Sequence, residues 1–172
     1  MDAPPLSSAP AYPSSAWKCS ASSNAELVRR LREGGLLHHP AAEEAMLRTD
    51  RAQYVPLDLV KERCSTYEYG AYADSPQALG HKATVSAPHV HAMALSELAQ
   101  VLATAAATRP DGPSALDVGC GSGVLLAALW RMVDGHGGRA AGVERVPELA
   151  ELSVANMQRD GLACGPRLAV AC

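Results

Sequence analysis

Leu116-Asp117-Val118-Gly119-Cys120-Gly121-Ser122-Gly123 lies between a short apolar run, 115–118, and an apolar stretch at helical spacing, 124–133. The run reads as a buried strand, residues 119–123 as a tight turn, and the stretch as a helix. Glycines there let the backbone turn sharply and let a ligand come close to it. The same alternation continues downstream. Residues 134–138 read as a loop and 140–144 as a second strand. Residues 147–159 read as a helix with proline in its first turn and Gly161 past its end, and 167–171 as a third strand. Strand, helix, strand, helix, strand predicts parallel pairing with right-handed crossovers, an α/β architecture.

Upstream the pattern is different. Residues 1–22 are rich in Pro, Ser and Ala without periodicity and read as a disordered tail. Ser23 with Glu26 forms a capping-box pattern, opening a helix through Leu27, Val28 and Leu31 that Gly34-Gly35 stops. A short helix follows from Pro40, with Met46 and Leu47 turned inward. Residues 54–80 read mostly as loop. A third helix should start at Pro88 and bury Val90, Ala94, Leu98, Val101 and Ala105, which recur every three or four positions. Arg109-Pro110-Asp111-Gly112-Pro113 then breaks it as a linker. The chain thus divides into the tail, a helical region over 23–109, and the alternating region over 114–172.

At 172 residues the chain holds one compact domain rather than two. A net charge of −3 supplies no basic field for nucleic acid, and no apolar run is read as long enough for a membrane span. The N-terminus lacks a secretory pattern. Five scattered cysteines, never in C-x-x-C spacing, favour a reducing, cytoplasmic setting over a disulfide framework or zinc site. Phe is absent, so Leu, Val and Ala must build the core.

The turn and its acidic partner bear on ligand class. Glu144 ends the second strand, where a carboxylate can accept both hydroxyls of a ribose. Dinucleotide sites favour G-x-G-x-x-G with the pyrophosphate on the helix N-terminus. Here the spacing is G-x-G-x-G, and Asp117 would repel a pyrophosphate while suiting a cation. S-adenosylmethionine, cationic and free of phosphate, fits better than a nicotinamide dinucleotide. The plainer alternative is that the glycines only make the turn. Cys120 reads as a small filler. Ser86, just before the third helix, is either its N-cap or a group that holds a carboxylate at the helix end. His89 and His91 would point to opposite sides of a first turn, one to the surface and one to the crevice. No neighbouring ligands complete a metal set.

These residues resemble the protein-L-isoaspartate O-methyltransferases. The likeness runs from Ala16-Trp17-Lys18 through Met46-Leu47, Thr49-Asp50-Arg51, Tyr54, Asp74-Ser75-Pro76-Gln77 and Gly80. Its most specific stretch is Ala83-Thr84-Val85-Ser86-Ala87-Pro88-His89-Val90-His91-Ala92. Leu116 to Gly123, Arg131-Met132-Val133 and Gly142-Val143-Glu144 complete it. The resemblance implies a Rossmann-like class I methyltransferase fold with N-terminal helices. Within this chain it implies an incomplete parallel sheet of the first three strands. The implied reaction is methylation of the α-carboxylate of L-isoaspartyl residues in damaged proteins, with S-adenosyl-L-methionine as donor. Ser86 is the implied active-site serine. Ala83, Thr84, Val85, Ser86, His91, Asp117, Gly119, Gly121, Ser122, Gly123 and Glu144 are the implied cofactor positions, with no metal. Isoaspartyl peptides and proteins are the implied partners of a chain expected to be monomeric. Two departures stand out. Residues 56–72 are longer than the family's usual connection. The family's pattern also continues beyond the third strand, with a Gly-Asp-Gly segment and further strands. The expectation is therefore a free edge on strand 115–118, low stability and weak cofactor binding, with a non-catalytic relative as the alternative reading.

Overall fold

A computed structural model describes residues 15–56, 58 and 67–172. Two helices come first, α1 (Asn24–Glu33) and α2 (Pro40–Arg48). A short antiparallel hairpin follows, β1 (Gln77–Gly80) and β2 (Ala83–Val85), and then the long helix α3 (Pro88–Thr108). The alternating half comprises β3 (Ser114–Val118), α4 (Val124–Val133), β4 (Arg139–Val143), α5 (Pro147–Arg159) and β5 (Leu168–Ala171). Its three strands form one parallel sheet in the order β3-β4-β5, with Leu116 opposite Ala141 and Gly142 opposite Val170.

Burial explains the elements. In α4, Val124, Leu126, Ala127, Ala128, Leu129, Met132 and Val133 are buried against β3, β4 and the helices α2 and α3. Ser23 caps α1 by accepting from the Glu26 amide at 3.3 Å. The capping box is not reciprocal, because the Glu26 carboxylate accepts instead from the Ser22 amide at 3.1 Å and the Ser22 hydroxyl at 2.9 Å. A polar clamp joins the two halves. The Tyr54 hydroxyl donates to Asp160 at 2.5 Å, and Arg131 donates to Asp160 at 2.8 Å and to Thr49 at 3.0 Å.

Several expectations need correction. Residues 15–22 are not tail: Ala16, Cys19 and Ala21 are buried, and the Ala21 amide donates to the Tyr72 carbonyl at 3.2 Å. Residues 1–14, and most of the longer 56–72 connection, lie outside the described residues. In α2 the buried residues are Ala42 and Ala45, while Leu47 is exposed; small side chains let α2 lie close to its neighbours. Residues 54–80 contain β1, and β2 follows at once, a hairpin too short to carry a periodic signal.

Helix α3 buries a different face from the one expected. His91, Ala92, Leu95, Ala99 and Leu102 are inside, whereas Leu98 is 39% and Val101 63% exposed. In an Ala-rich helix two apolar stripes compete, and the one carrying Leu95 and Leu102 is taken by α2 and α4. Ser96, on that face, accepts from the His38 amide at 3.2 Å. By length and composition α3 could also cross a membrane, against the sequence expectation. Its buried face belongs to the core described here.

Among the described residues β3 has no partner on its outer edge, as expected, but it is not the buried strand its sequence suggests: Leu116 is 61% and Val118 76% exposed, because one face of the strand is uncovered.

Gly142 shows how tightly the sheet meets the glycine turn. A Cβ there would lie 2.8 Å from both Cys120 Sγ and Leu126 Cδ2. Gly142→Ala is expected to cost about 1–3 kcal/mol, the usual size of an overpacking penalty, read from urea unfolding. An unchanged midpoint would contradict this packing.

Candidate functional site

The 119–123 turn is built from left-handed backbone. Gly119, Gly121 and Gly123 have φ of 80°, 54° and 85°. Only glycine adopts such values without strain. Hydrogen bonds stitch the turn to the end of β4. The Gly119 and Cys120 amides donate to the Val143 carbonyl at 2.7 and 3.2 Å, and the Gly121 amide donates to Glu144 Oε2 at 3.0 Å. From behind, Asn156 Nδ2 donates to the Ser122 carbonyl at 2.9 Å.

A cavity of about 240 Å³ opens in front of the turn. Its walls include Thr84, Val85, Ser86 and His91 on one side, and Asp117, Gly119, Gly121 and Ser122 on the other. Two segments distant in sequence therefore face one space. Leu79, Val90 and Ala94 add apolar wall; Val90 and Ala94 were expected in the core face of the helix rather than at a cavity. Ala83, Gly123 and Glu144 do not line it. Ala83 is half-buried in β2, and Gly123 packs on Ser153. Glu144 is buried at the edge of the turn, with Oε2 accepting from Gly121 and Oε1 from Val146 at 3.1 Å.

Two residues of the cavity wall carry buried polar atoms without partners. Ser122 Oγ and Asp117 Oδ2 are buried and make no hydrogen bond among the described residues. Burial raises the Asp117 carboxyl pKa, with the Glu144 charge adding to the rise and a Leu126 backbone hydrogen bond opposing it. A cationic ligand would relieve both the desolvation and the repulsion. Burial likewise pushes the Cys120 thiol up to about 11, so it stays protonated at neutral pH and fills space, as expected from its sequence context.

Ser86 is not the N-cap of α3. Ala87 holds that position, without a side-chain cap bond. Ser86 is exposed on the cavity wall, and its carbonyl accepts from Arg51 Nη2 at 2.8 Å. Neither histidine is on the surface. His89 is fully buried, with Nδ1 2.8 Å from Asp74 Oδ1 and its ring edge-on to Trp17 at 4.5 Å between centroids. His91 is buried in the cavity wall. Burial first, then the Arg51 and His89 charges, lower its pKa to about 3. Asp74 is the anchor that sequence reasoning quoted but gave no role. Its Oδ1 also accepts the His89 amide at 3.1 Å, and its Oδ2 accepts the Cys19 amide at 3.2 Å. No cluster of three metal-ligating side chains occurs among the described residues.

The family model for protein-L-isoaspartate(D-aspartate) O-methyltransferase matches residues 22–172. The chain belongs to this family. It is 38% identical over 144 residues to a protein-L-isoaspartate O-methyltransferase of Caenorhabditis elegans, covering 84% of this chain and 55% of that one. A wheat relative of the same name, from Triticum aestivum, is 39% identical over 140 residues, covering 81% and 53%. The chain thus spans about half the length of the curated relatives it matches. Among solved structures, a Plasmodium falciparum protein described as a putative family member, in complex with S-adenosyl-L-homocysteine, superposes with a TM-score of 0.67 at 26% identity. That match covers 87% of this chain and 62% of that one. The Rossmann-like fold with N-terminal helices is shared.

His91 carries a pH prediction. Its folded pKa lies below the unfolded value, so the unfolded chain binds the proton first. Stability should fall as pH drops below about 6.5, by at most about 1.4 kcal/mol per unit from this group. His91→Gln should therefore narrow the loss in urea midpoint between pH 7 and pH 4.5. An equal loss in both proteins would contradict a neutral, buried His91.

Proposed function

We propose that the cavity takes S-adenosyl-L-methionine and that the chain presents an isoaspartyl α-carboxylate to it beside Ser86. The observation that carries this reading is the meeting of residues 84–86 and 119–122 across one space. The residues present fit the ligand. Asp117 sets a carboxylate at the cavity wall, which favours a cation there, and Ser122 lines the same wall. Gly119 has open space where a side chain would stand. Glu144 lies outside the cavity lining, so its part is to brace the turn by accepting the Gly121 and Val146 amides.

S-adenosyl-L-methionine, when bound, supplies a methyl group on a cationic sulfur. The chain's own part is to orient the acceptor. An α-carboxyl group has a pKa near ~3.5, so the acceptor is already ionised at neutral pH and needs no base. The Ser86 hydroxyl makes no hydrogen bond within the described residues and can donate to a carboxylate oxygen. Neutral His91 adds no charge to the same cavity wall. Catalysis then rests on placing two reactants in line. The product is a methyl ester, with S-adenosyl-L-homocysteine left over; the ester can cyclise to a succinimide with loss of methanol, and water reopens it in part as normal aspartate, amounting to protein repair.

The proposed partners are isoaspartyl peptides and proteins, met by a monomer in the cytoplasm. Among the described residues Cys19, Cys120, Cys164 and Cys172 are free thiols, which suits a reducing setting.

Radiolabelled methyl transfer to an isoaspartyl peptide tests the reading. Transfer is expected, and Ser86→Ala is expected to lower turnover about 10- to 100-fold while changing S-adenosyl-L-homocysteine affinity less than about threefold. Binding of S-adenosyl-L-homocysteine with no transfer would favour a non-catalytic relative. Unchanged turnover in Ser86→Ala would remove Ser86 from its role.

A further inference from the structure

Ser86 lies one residue past the last paired residue of β2, Val85, and one residue before Ala87, the N-cap of α3. Neither the hairpin ladder nor the helix holds its peptide group. What reaches it is Arg51. This side chain is 3% exposed, an unusual place for a guanidinium unless its donors are used. Its Nη2 donates to the Ser86 carbonyl at 2.8 Å, and its Nε donates to the Ala71 carbonyl at 2.9 Å. The planar fork thus fixes two carbonyls at a set separation, which a single ammonium cannot reproduce.

Arg51 is itself held. It stands in a 3-10 turn, Arg51–Gln53, capped by Asp50, which accepts from the Ala52 amide at 3.0 Å and the Tyr72 hydroxyl at 2.9 Å. Asp74 supplies the favourable opposite charge. It also ties down the start of α3 through both His89 bonds. The side chain therefore spans from the 71–74 segment to the peptide that carries the serine.

We propose that Arg51 is a positioning residue for Ser86: by holding the Ser86 carbonyl it fixes the Ser86–Ala87 peptide plane, and with it the direction of the serine hydroxyl over the cavity. The consequence for methyl transfer rests on the reading of Ser86 given above; the hold on the peptide does not.

The test uses the full 172-residue chain and the variant Arg51→Lys, which keeps the charge but loses the fork. The Ala87 amide belongs to the same peptide plane as the Ser86 carbonyl, and its residue is buried, so burial protects it for as long as that plane is held. Exchange at Ala87 is expected to rise about tenfold or more in Arg51→Lys, while amides 119–123 keep their wild-type rates. In methyl transfer, kcat is expected to fall about 10- to 100-fold with S-adenosyl-L-homocysteine affinity nearly unchanged, and the loss should largely vanish when Ser86 is already Ala. Unchanged exchange at Ala87 would overturn the proposal. So would exchange rising equally at 119–123, or a kcat loss that adds in full to that of Ser86→Ala, since either marks a general loosening. If Arg51→Lys is too unstable to purify, Arg51→Gln, which retains two amide donors, permits the same comparison. If the wild-type chain transfers no methyl while the Ala87 exchange responds as expected, the functional reading fails and the role of Arg51 in fixing that peptide stands.

Discussion

The Val143 carbonyl, at the end of β4, accepts the amides of both Gly119 and Cys120. That one acceptor fixes where the chain leaves β3 and how it turns into α4. Glu144, the next residue, reaches back to the Gly121 amide and completes the seam. Amides used in this way cannot wander, so the cavity in front has a floor set by backbone geometry rather than by side-chain choice. Such a floor suits a ligand that must be held at short range, because little ordering remains to be done on binding. The left-handed glycines and the bare Cα of Gly142 are what allow the seam to close at this distance.

The opposite wall is held by a different kind of chemistry. Residues 83–85 belong to a hairpin with only seven residues in its two strands, too small to be rigid alone, and Ser86 follows it directly. Its position comes from buried charge: Arg51 on the Ser86 carbonyl, and Asp74 on the amides of Cys19 and His89. Buried charges are costly unless their hydrogen bonds are made, and here they are made to backbone groups that no regular element satisfies. The two walls therefore divide the work. A ladder of amides shapes the ligand floor, and an ionic anchor shapes the serine side.

The alternating half was legible in the sequence almost to the residue. Helices 124–133 and 147–159 match, because glycine and proline mark their ends and short, mostly apolar strands flank them. The cavity was legible too, in that Ser86, His91, Asp117, Gly119, Gly121 and Ser122 do face one space. Other features were not. The buried stripe of α3 could not be chosen by periodicity, since Leu98 and Val101 are as apolar as Leu95 and Leu102 and only the packing of α2 and α4 decides. The turn at 15–22 has tail-like composition, yet it is fixed by a backbone amide on Asp74, a residue more than fifty positions away. Ser86 looked like a cap because serine favours that position, but proline at the next position but one shifted the cap to Ala87. Glu144 was read through its ligand role alone; its bonds to Gly121 and Val146 depend on the turn's geometry, which spacing does not reveal.

The central claim is that the serine wall and the glycine floor serve one ligand. The direct measurement is a titration of the isotopically labelled chain with S-adenosyl-L-homocysteine, followed by amide resonances. The account predicts saturable shifts in residues 84–86, 91 and 117–123 with a common dissociation constant. Shifts confined to the glycine floor, or centred on the far side of the sheet, would contradict it.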